Sequence, residues 1–235
     1  MAQDFYKSAS QDKVFEAYGR IRAALNHHRS PPGSFLNIRL VAARLKISTT
    51  PVREALIRLA NEEVVGFIRG RGYHTLFLSS EELTADHEFA MVMMKYAMEA
   101  KGSGVLEKPA IGPGQLWEGR PVIEELQAIK INALVEELYA TIARLSGNGR
   151  VVRNMGGFCA RTGHIRQYGL MSSSAIREAL SSLDELAAAL RNGCRDHAVR
   201  IAQRHTDLII GALPGLVRDL NNRANSGRTA VEDLL

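Results

Sequence analysis

Residues 36–72 read Leu36-Asn-Ile-Arg-Leu-Val-Ala-Ala-Arg-Leu-Lys-Ile-Ser-Thr-Thr-Pro-Val-Arg-Glu-Ala-Leu-Ile-Arg-Leu-Ala-Asn-Glu-Glu-Val-Val-Gly-Phe-Ile-Arg-Gly-Arg-Gly72. Leu36, Leu40, Val41 and Leu45 fall at helical spacing and form one apolar stripe, with Arg39 and Arg44 off it. Lys46-Ile47-Ser48 is too short for anything but a sharp turn between two helices. A second helix follows. Thr50 is expected to cap it and Pro51 to take its first position, where a missing N–H costs nothing. Val52, Ala55, Leu56 and Leu59 then face the core. The β-prone run Val64, Val65, Phe67 and Ile68, the turn Arg69-Gly70-Arg71-Gly72 and a return strand from Tyr73 to Leu78 complete a basic hairpin. Helix, turn, helix and hairpin in this order predict a winged helix-turn-helix.

That shape places its second helix in the DNA major groove. Thr49, Thr50 and Arg53 lie at the N-terminal end of this helix, the end that reaches base edges and phosphates. Arg69, Gly70 and Arg71 form a hairpin tip able to approach a phosphate backbone. Taken alone, a basic glycine-rich tip is most often a solvated loop. The ordered combination carries the DNA-binding reading. Charge agrees. The chain has 235 residues and a net charge of +5, and residues 1–78 hold 12 Lys/Arg against 6 Asp/Glu. Positive charge is therefore concentrated where it can displace counterions from phosphates.

The run Leu45-Lys46-Ile47-Ser48-Thr49-Thr50-Pro51-Val52-Arg53-Glu54-Ala55-Leu56, followed by Leu59 and Glu62-Glu63-Val64-Val65, resembles the N-terminal domain of GntR-type bacterial transcription regulators. The resemblance implies a homodimer on palindromic double-stranded operator DNA. It also implies DNA contacts from Arg39, Thr50, Arg53, Arg69 and Gly70. One departure stands out: the family usually has Arg directly before the Thr-Pro pair, and here that position is Thr49. A threonine cannot make the bidentate guanine contact, so a different operator is expected.

Outside this stretch, a first helix is expected from about Gln11 to Asn26, with Val14, Tyr18, Ile21 and Leu25 on one face. His27 and His28 are adjacent, lack the i, i+4 geometry of a metal pair, and read as solvent-facing. No run of about 18 uncharged apolar residues is present, and the first residues contain no apolar signal region. Cys159 and Cys194 lack metal or redox spacing. No membrane association and a reducing cytoplasm are expected.

From Ser79 the pattern turns to long helical periodicity. Ser79 or Ser80 can cap a helix starting near Glu81. Met91, Met93, Met94 and Met98 on it are either ordinary core or an adaptable pocket wall. Residues 102–120, with Trp117, read as a long Gly/Pro-rich connection, and helices are expected over 121–145, 150–169, 173–192 and 194–222. Gly147 and Gly193 suit helix ends. The organisation expected is mainly α: a winged helix-turn-helix with a small β-hairpin over 1–78, an all-helical bundle over 79–222, and a frayed tail over 223–235.

Ala143-Arg144-Leu145-Ser146-Gly147-Asn148, then Leu190-Arg191-Asn192-Gly193 and His205, resembles the helical effector-binding (FCD) domain of the FadR subfamily. Many such domains hold a divalent metal with one Asp and three His. Here those positions fall on Val135, Tyr139, Leu183 and His205. One imidazole cannot hold an ion that needs several ligands, so neither metal nor cofactor is expected, unless His164 reaches the site. Met91, Tyr139, Leu183 and His205 are instead expected to line a partly apolar effector pocket. The competing reading makes His205 a satisfied core histidine and Tyr139 a packing residue. Arg161 could pair with a carboxylate ligand, though an exposed helical arginine is commoner. The function expected is a small-molecule-controlled transcription regulator, a repressor by preference. The alternatives are an architectural DNA binder without effector, or an enzyme, for which no nucleophile–base pair or metal triad is present.

Overall fold

The computed structural model describes residues 2–26, 30–100, 123–227 and 229–235. His27, His28 and the expected connection 102–120 with Trp117 lie outside them. Eight α-helices, one hairpin and a 3-10 turn are present among the described residues, in the order α1 (Ala2–Asn26), α2 (Ile38–Leu45), α3 (Thr49–Asn61), β1 (Val65–Ile68), β2 (Gly72–Thr75), α4 (Ser80–Glu99), α5 (Glu125–Leu145), α6 (Gly149–Ser172), α7 (Ser174–Arg191), α8 (Arg195–Gly227) and the 3-10 turn Val231–Leu234. The chain divides into two compact units. One comprises Met1–Leu78 with Arg218–Leu235, the other Ser79–Val217.

In the first unit, α1 begins well before Gln11 and packs Ala17, Tyr18, Ile21 and Ala24 into the core. Asn37 caps α2, its side chain accepting from the N–H groups of Arg39 and Leu40 at 3.1 and 3.2 Å. The helix ends at Lys46, which takes a left-handed φ of 56°. Val41, Ala42 and Leu45 are the buried face of α2. Leu40, expected on the apolar stripe, is 54% exposed. It lies one residue, or about 100°, round the helix from Val41, off the side on which Val41, Ala42 and Leu45 join the core.

The start of α3 also differs from expectation. Its N-cap is Ser48, without a side-chain cap bond, and the helix begins at Thr49, so Thr50 is not the cap. Pro51 is then the third helical residue. It is still within the first four residues, whose N–H groups have no partner in the helix, so proline costs nothing there. Val52, Ala55, Leu56 and Leu59 are fully buried. Tyr18 ties α1 to the end of α3: its hydroxyl donates to Glu62 at 2.5 Å, and Arg58, paired with Glu62 at 3.0 Å, lies 4.3 Å above its ring. Burial, with that hydrogen bond, pushes the Tyr18 phenol up to about 12.

The hairpin pairs Val65 with Thr75 and Ile68 with Gly72, and the return strand stops at Thr75 rather than Leu78. Beyond Thr75 the ladder partner runs out, and the exposed Leu76 and Phe77 leave the sheet. The tip closes with the Arg71 N–H donating to the Ile68 carbonyl at 3.0 Å, and Gly70, at φ 82°, supplies the left-handed turn residue. The described residues of the tail expected to fray fold with the first unit. The helix α8 runs to Gly227, and Val231, in the 3-10 turn, joins the apolar core formed with Leu36, Val41 and Leu45.

The second unit is all helical. Ser79 caps α4, accepting from the Glu82 N–H at 3.2 Å. Met91, Met93, Met94 and Met98 are all buried. Gly147 and Gly193 hold left-handed φ angles of 62° and 71° just past α5 and α7. Cys159 is buried and Cys194 exposed. No described helix is long and apolar enough to cross a membrane.

Candidate functional site

The first unit presents a basic surface built by short elements. Thr49, Thr50 and Arg53 stand exposed at the start of α3, and Arg39 stands exposed on α2. The same turn that buries Pro51 and Val52 turns Arg53 outward, because the two sides of an amphipathic helix are fixed by its 3.6-residue period. Arg69, Gly70 and Arg71 are exposed at the hairpin tip. Arg71 is held there by stacking 4.5 Å from the centre of the Phe35 ring. Lower in the hairpin, Gly66 lies close against its partner His74: a Cβ at Gly66 would meet that ring at 2.3 Å.

This surface offers guanidinium groups and hydroxyls, donors suited to phosphate and base edges. Replacing both Arg69 and Arg71 by alanine is expected to weaken binding to every duplex alike and to reduce the slope of log K against log salt by roughly one to two. Titration of a random-sequence duplex at several salt concentrations checks this; an unchanged slope removes the hairpin from the interface.

In the second unit, the residues singled out from sequence come together in part. The hydroxyl of Tyr139 on α5 meets Nε2 of His205 on α8 at 2.5 Å. The other His205 nitrogen, Nδ1, lies 2.7 Å from the Ala179 carbonyl and so carries the proton, which makes Nε2 the acceptor of the Tyr139 hydrogen bond. Met91 and Leu183 are buried on α4 and α7. Arg161 is not a free anion receptor, since it chelates Asp86 with contacts of 2.5 and 3.0 Å.

The same bundle buries groups that the sequence reading did not single out. Arg166 on α6 is 1% exposed. Its guanidinium donates to Asn132 at 2.9 Å, Thr162 at 2.5 Å, Glu136 at 3.2 Å and the Cys159 carbonyl at 3.4 Å. It also lies 5.7 and 5.6 Å from the Tyr139 and Phe158 ring centres. His87 on α4 packs edge-on against Phe158 at 5.1 Å, with Nδ1 bonded to the Leu83 carbonyl at 2.7 Å. Its Nε2 is buried without a hydrogen-bond partner. The helical period could have exposed these: Arg166 follows Phe158 and Thr162 at steps of four, on the buried face of α6.

The residues present do not fit a divalent ion. Val135 and Leu183 carry no donor atom, and both nitrogens of His205 are engaged within the protein. No group of three or more His, Cys, Asp or Glu able to hold a metal occurs among the described residues. Burial instead keeps the two histidines neutral, lowering both His87 and His205 to about 4. A depressed folded-state pKa contributes stability that is present above the unfolded value and is lost as pH falls. Stability of the helical unit is therefore expected to decline on acidification from about pH 6.5 toward 4, up to two protons being taken up on unfolding. Melting curves across that window check it: His205→Gln should flatten the slope, and an equal slope would show that His205 titrates normally.

Residues 14–74 match the model of the family described as "Bacterial regulatory proteins, gntR family". The N-terminal domain is a GntR-family domain. Over most of its length, the chain is 23% identical over 201 residues to the Nta operon transcriptional regulator of Aminobacter aminovorans, a match covering 85% of this chain and 95% of that protein. Among solved structures, E. coli McbR/YncC is similar with a TM-score of 0.56 at 17% identity, over 86% of this chain and 97% of the other. A putative transcriptional regulator GntR from Rhodococcus sp. RHA1 gives 0.58 at 19% identity, over 87% and 98%. These two show the fold, a winged helix with a helical C-terminal domain. The family match is confined to residues 14–74, and over most of its length the chain is similar to transcriptional regulators.

Proposed function

We propose that this protein is a GntR-family transcription regulator, cytoplasmic and homodimeric, a repressor by preference, whose operator affinity is set by a small molecule bound in its helical unit. The observation that carries the DNA half is the exposed cationic start of α3, with Arg53, Thr49 and Thr50 beside Arg39 of α2. The effector half rests on cost. An arginine, two histidines and a tyrosine inside a helical bundle are expensive to bury, and an apolar core would hold such a bundle more cheaply. His87 Nε2 is buried with nothing to bond, which suits a ligand offering a hydrogen-bond donor. Tyr139, His205 and Arg166 supply further polar contacts, and Met91 and Leu183 apolar walls, in keeping with the likeness to the FadR subfamily without its metal.

Dimerisation is supported by apolar residues left exposed on helices of the same unit: Phe89, Val92 and Tyr96 on α4, and Leu126 and Ile129 on α5. A second copy covering them would bring two recognition helices to a palindromic operator. Control then works by population shift, the effector favouring a dimer arrangement that matches or misses the two half-sites. The relative from Aminobacter aminovorans is named for regulating an operon, which accords with this reading.

The test is a thermal-shift screen of small metabolites on the intact protein, followed by titration of each hit against duplexes selected on the protein from a random library. A bound effector raises the melting temperature. The expected hit changes duplex affinity, and His205→Ala removes that response while leaving effector-free affinity intact. Hits that stabilise without altering DNA affinity would favour an architectural DNA binder.

A further inference from the structure

The segment that follows α8 is built into the DNA-binding unit. Val231 is 2% exposed and lies in the apolar core with Val41 and Leu45 of α2. The next residue, Glu232, is buried as well, and its carboxylate accepts the N–H of Asn37. Asp233 pairs with Arg44 at the other end of α2, at 2.9 Å. Arg20 of α1 donates to the Leu235 carbonyl, and the Ser30 hydroxyl to the Thr229 carbonyl at 2.6 Å.

These contacts differ in weight. The Arg44–Asp233 pair has both side chains more than half exposed, so it adds little. Val231 and Glu232 do the holding, one by apolar burial and the other by its carboxylate's bond to the Asn37 N–H. What they hold is specific. Asn37 is the N-cap of α2, and its carboxamide already serves the N–H groups of Arg39 and Leu40. The helix α2 has only eight residues, too few to hold itself in place without tertiary support.

We propose that Thr229–Leu235 is a strap belonging to the DNA-binding domain, and that Glu232 is a positioning residue for DNA binding: it fixes the first turn of α2 and so the direction of Arg39. The inference rests on the reading that Arg39 and Arg53 contact DNA.

The experiment uses the intact protein and duplexes selected on it from a random library, at temperatures where circular dichroism shows each variant folded. Glu232→Ala is expected to lose about tenfold in affinity, since the Asn37 N–H is left without its acceptor. Glu232→Gln, which keeps an acceptor oxygen, should retain most of it. Arg39→Ala should cost clearly less in the Glu232→Ala background than in the wild type, because the two act through one helix turn. A purely structural strap would instead give full affinity once folded and strictly additive losses, and either result overturns the proposal. Should Glu232→Ala fail to fold, Glu232→Met, which keeps the side chain's length without an acceptor oxygen, takes its place in the same cycle with Arg39→Ala. Arg53→Ala separates the levels: full affinity in that variant means the DNA reading itself has failed, whereas loss there with none at Glu232 removes the strap alone.

Discussion

Replacing Arg53 by alanine is expected to remove specific DNA binding while leaving the fold unchanged. The side chain is exposed at the start of α3, makes no contact that the core depends on, and sits one residue after the buried Val52. A side chain that reads a base edge is worth about 1–3 kcal/mol. In the proposed symmetric dimer it is used twice, so a loss of roughly 2–6 kcal/mol is expected on a two-half-site duplex. Gel-shift titration with a selected duplex measures this, with a thermal melt as the control. Loss of affinity with an unchanged melt is the expected pair of results. Unchanged affinity would remove α3 from the interface.

Arg166→Ala is expected to have the largest effect on stability. The guanidinium holds four acceptors inside the bundle, and deleting it leaves Asn132, Thr162 and the Cys159 carbonyl short of a donor, with a cavity beside Tyr139 and Phe158. Breaking a buried ion pair from one side costs about 3–5 kcal/mol. The partner Glu136 is a quarter exposed and can turn to water, so the low end, about 3 kcal/mol, is expected. For a chain of this size that lowers the melting temperature by roughly 6–12 °C. Arg166→Met, which keeps the volume, should recover part of it. A cost below about 1 kcal/mol for Arg166→Ala would mean that the guanidinium is solvated.

The DNA-binding domain was legible because its signals are local. The turn at Lys46–Ser48, the register of Val52, Ala55, Leu56 and Leu59, and the glycine at the hairpin tip each follow from a few adjacent residues. The misreadings there are of one or two residues: the cap at Ser48 rather than Thr50, and Leu40 outside rather than in. The strap was not legible. Its stretch is short and follows the polar residues Asn225-Ser226-Gly227-Arg228-Thr229, and nothing local says that Val231 and Glu232 bind residues about 190 positions earlier. In the helical unit, Tyr139 and His205 were paired from a resemblance and the structure joins them. Arg166 and His87 were passed over because a charged or polar residue in a helix is ordinarily assigned to solvent. Only the matching register of Phe158, Thr162 and Arg166 argues otherwise.

The central claim, that the exposed start of α3 reads a DNA sequence, is tested most directly by selecting duplexes from a random library on the intact protein and repeating the selection with Arg53→Ala. The wild type is expected to enrich a two-fold symmetric motif, and the variant to lose it. No enrichment over the input library, or the same motif recovered by both proteins, would contradict it.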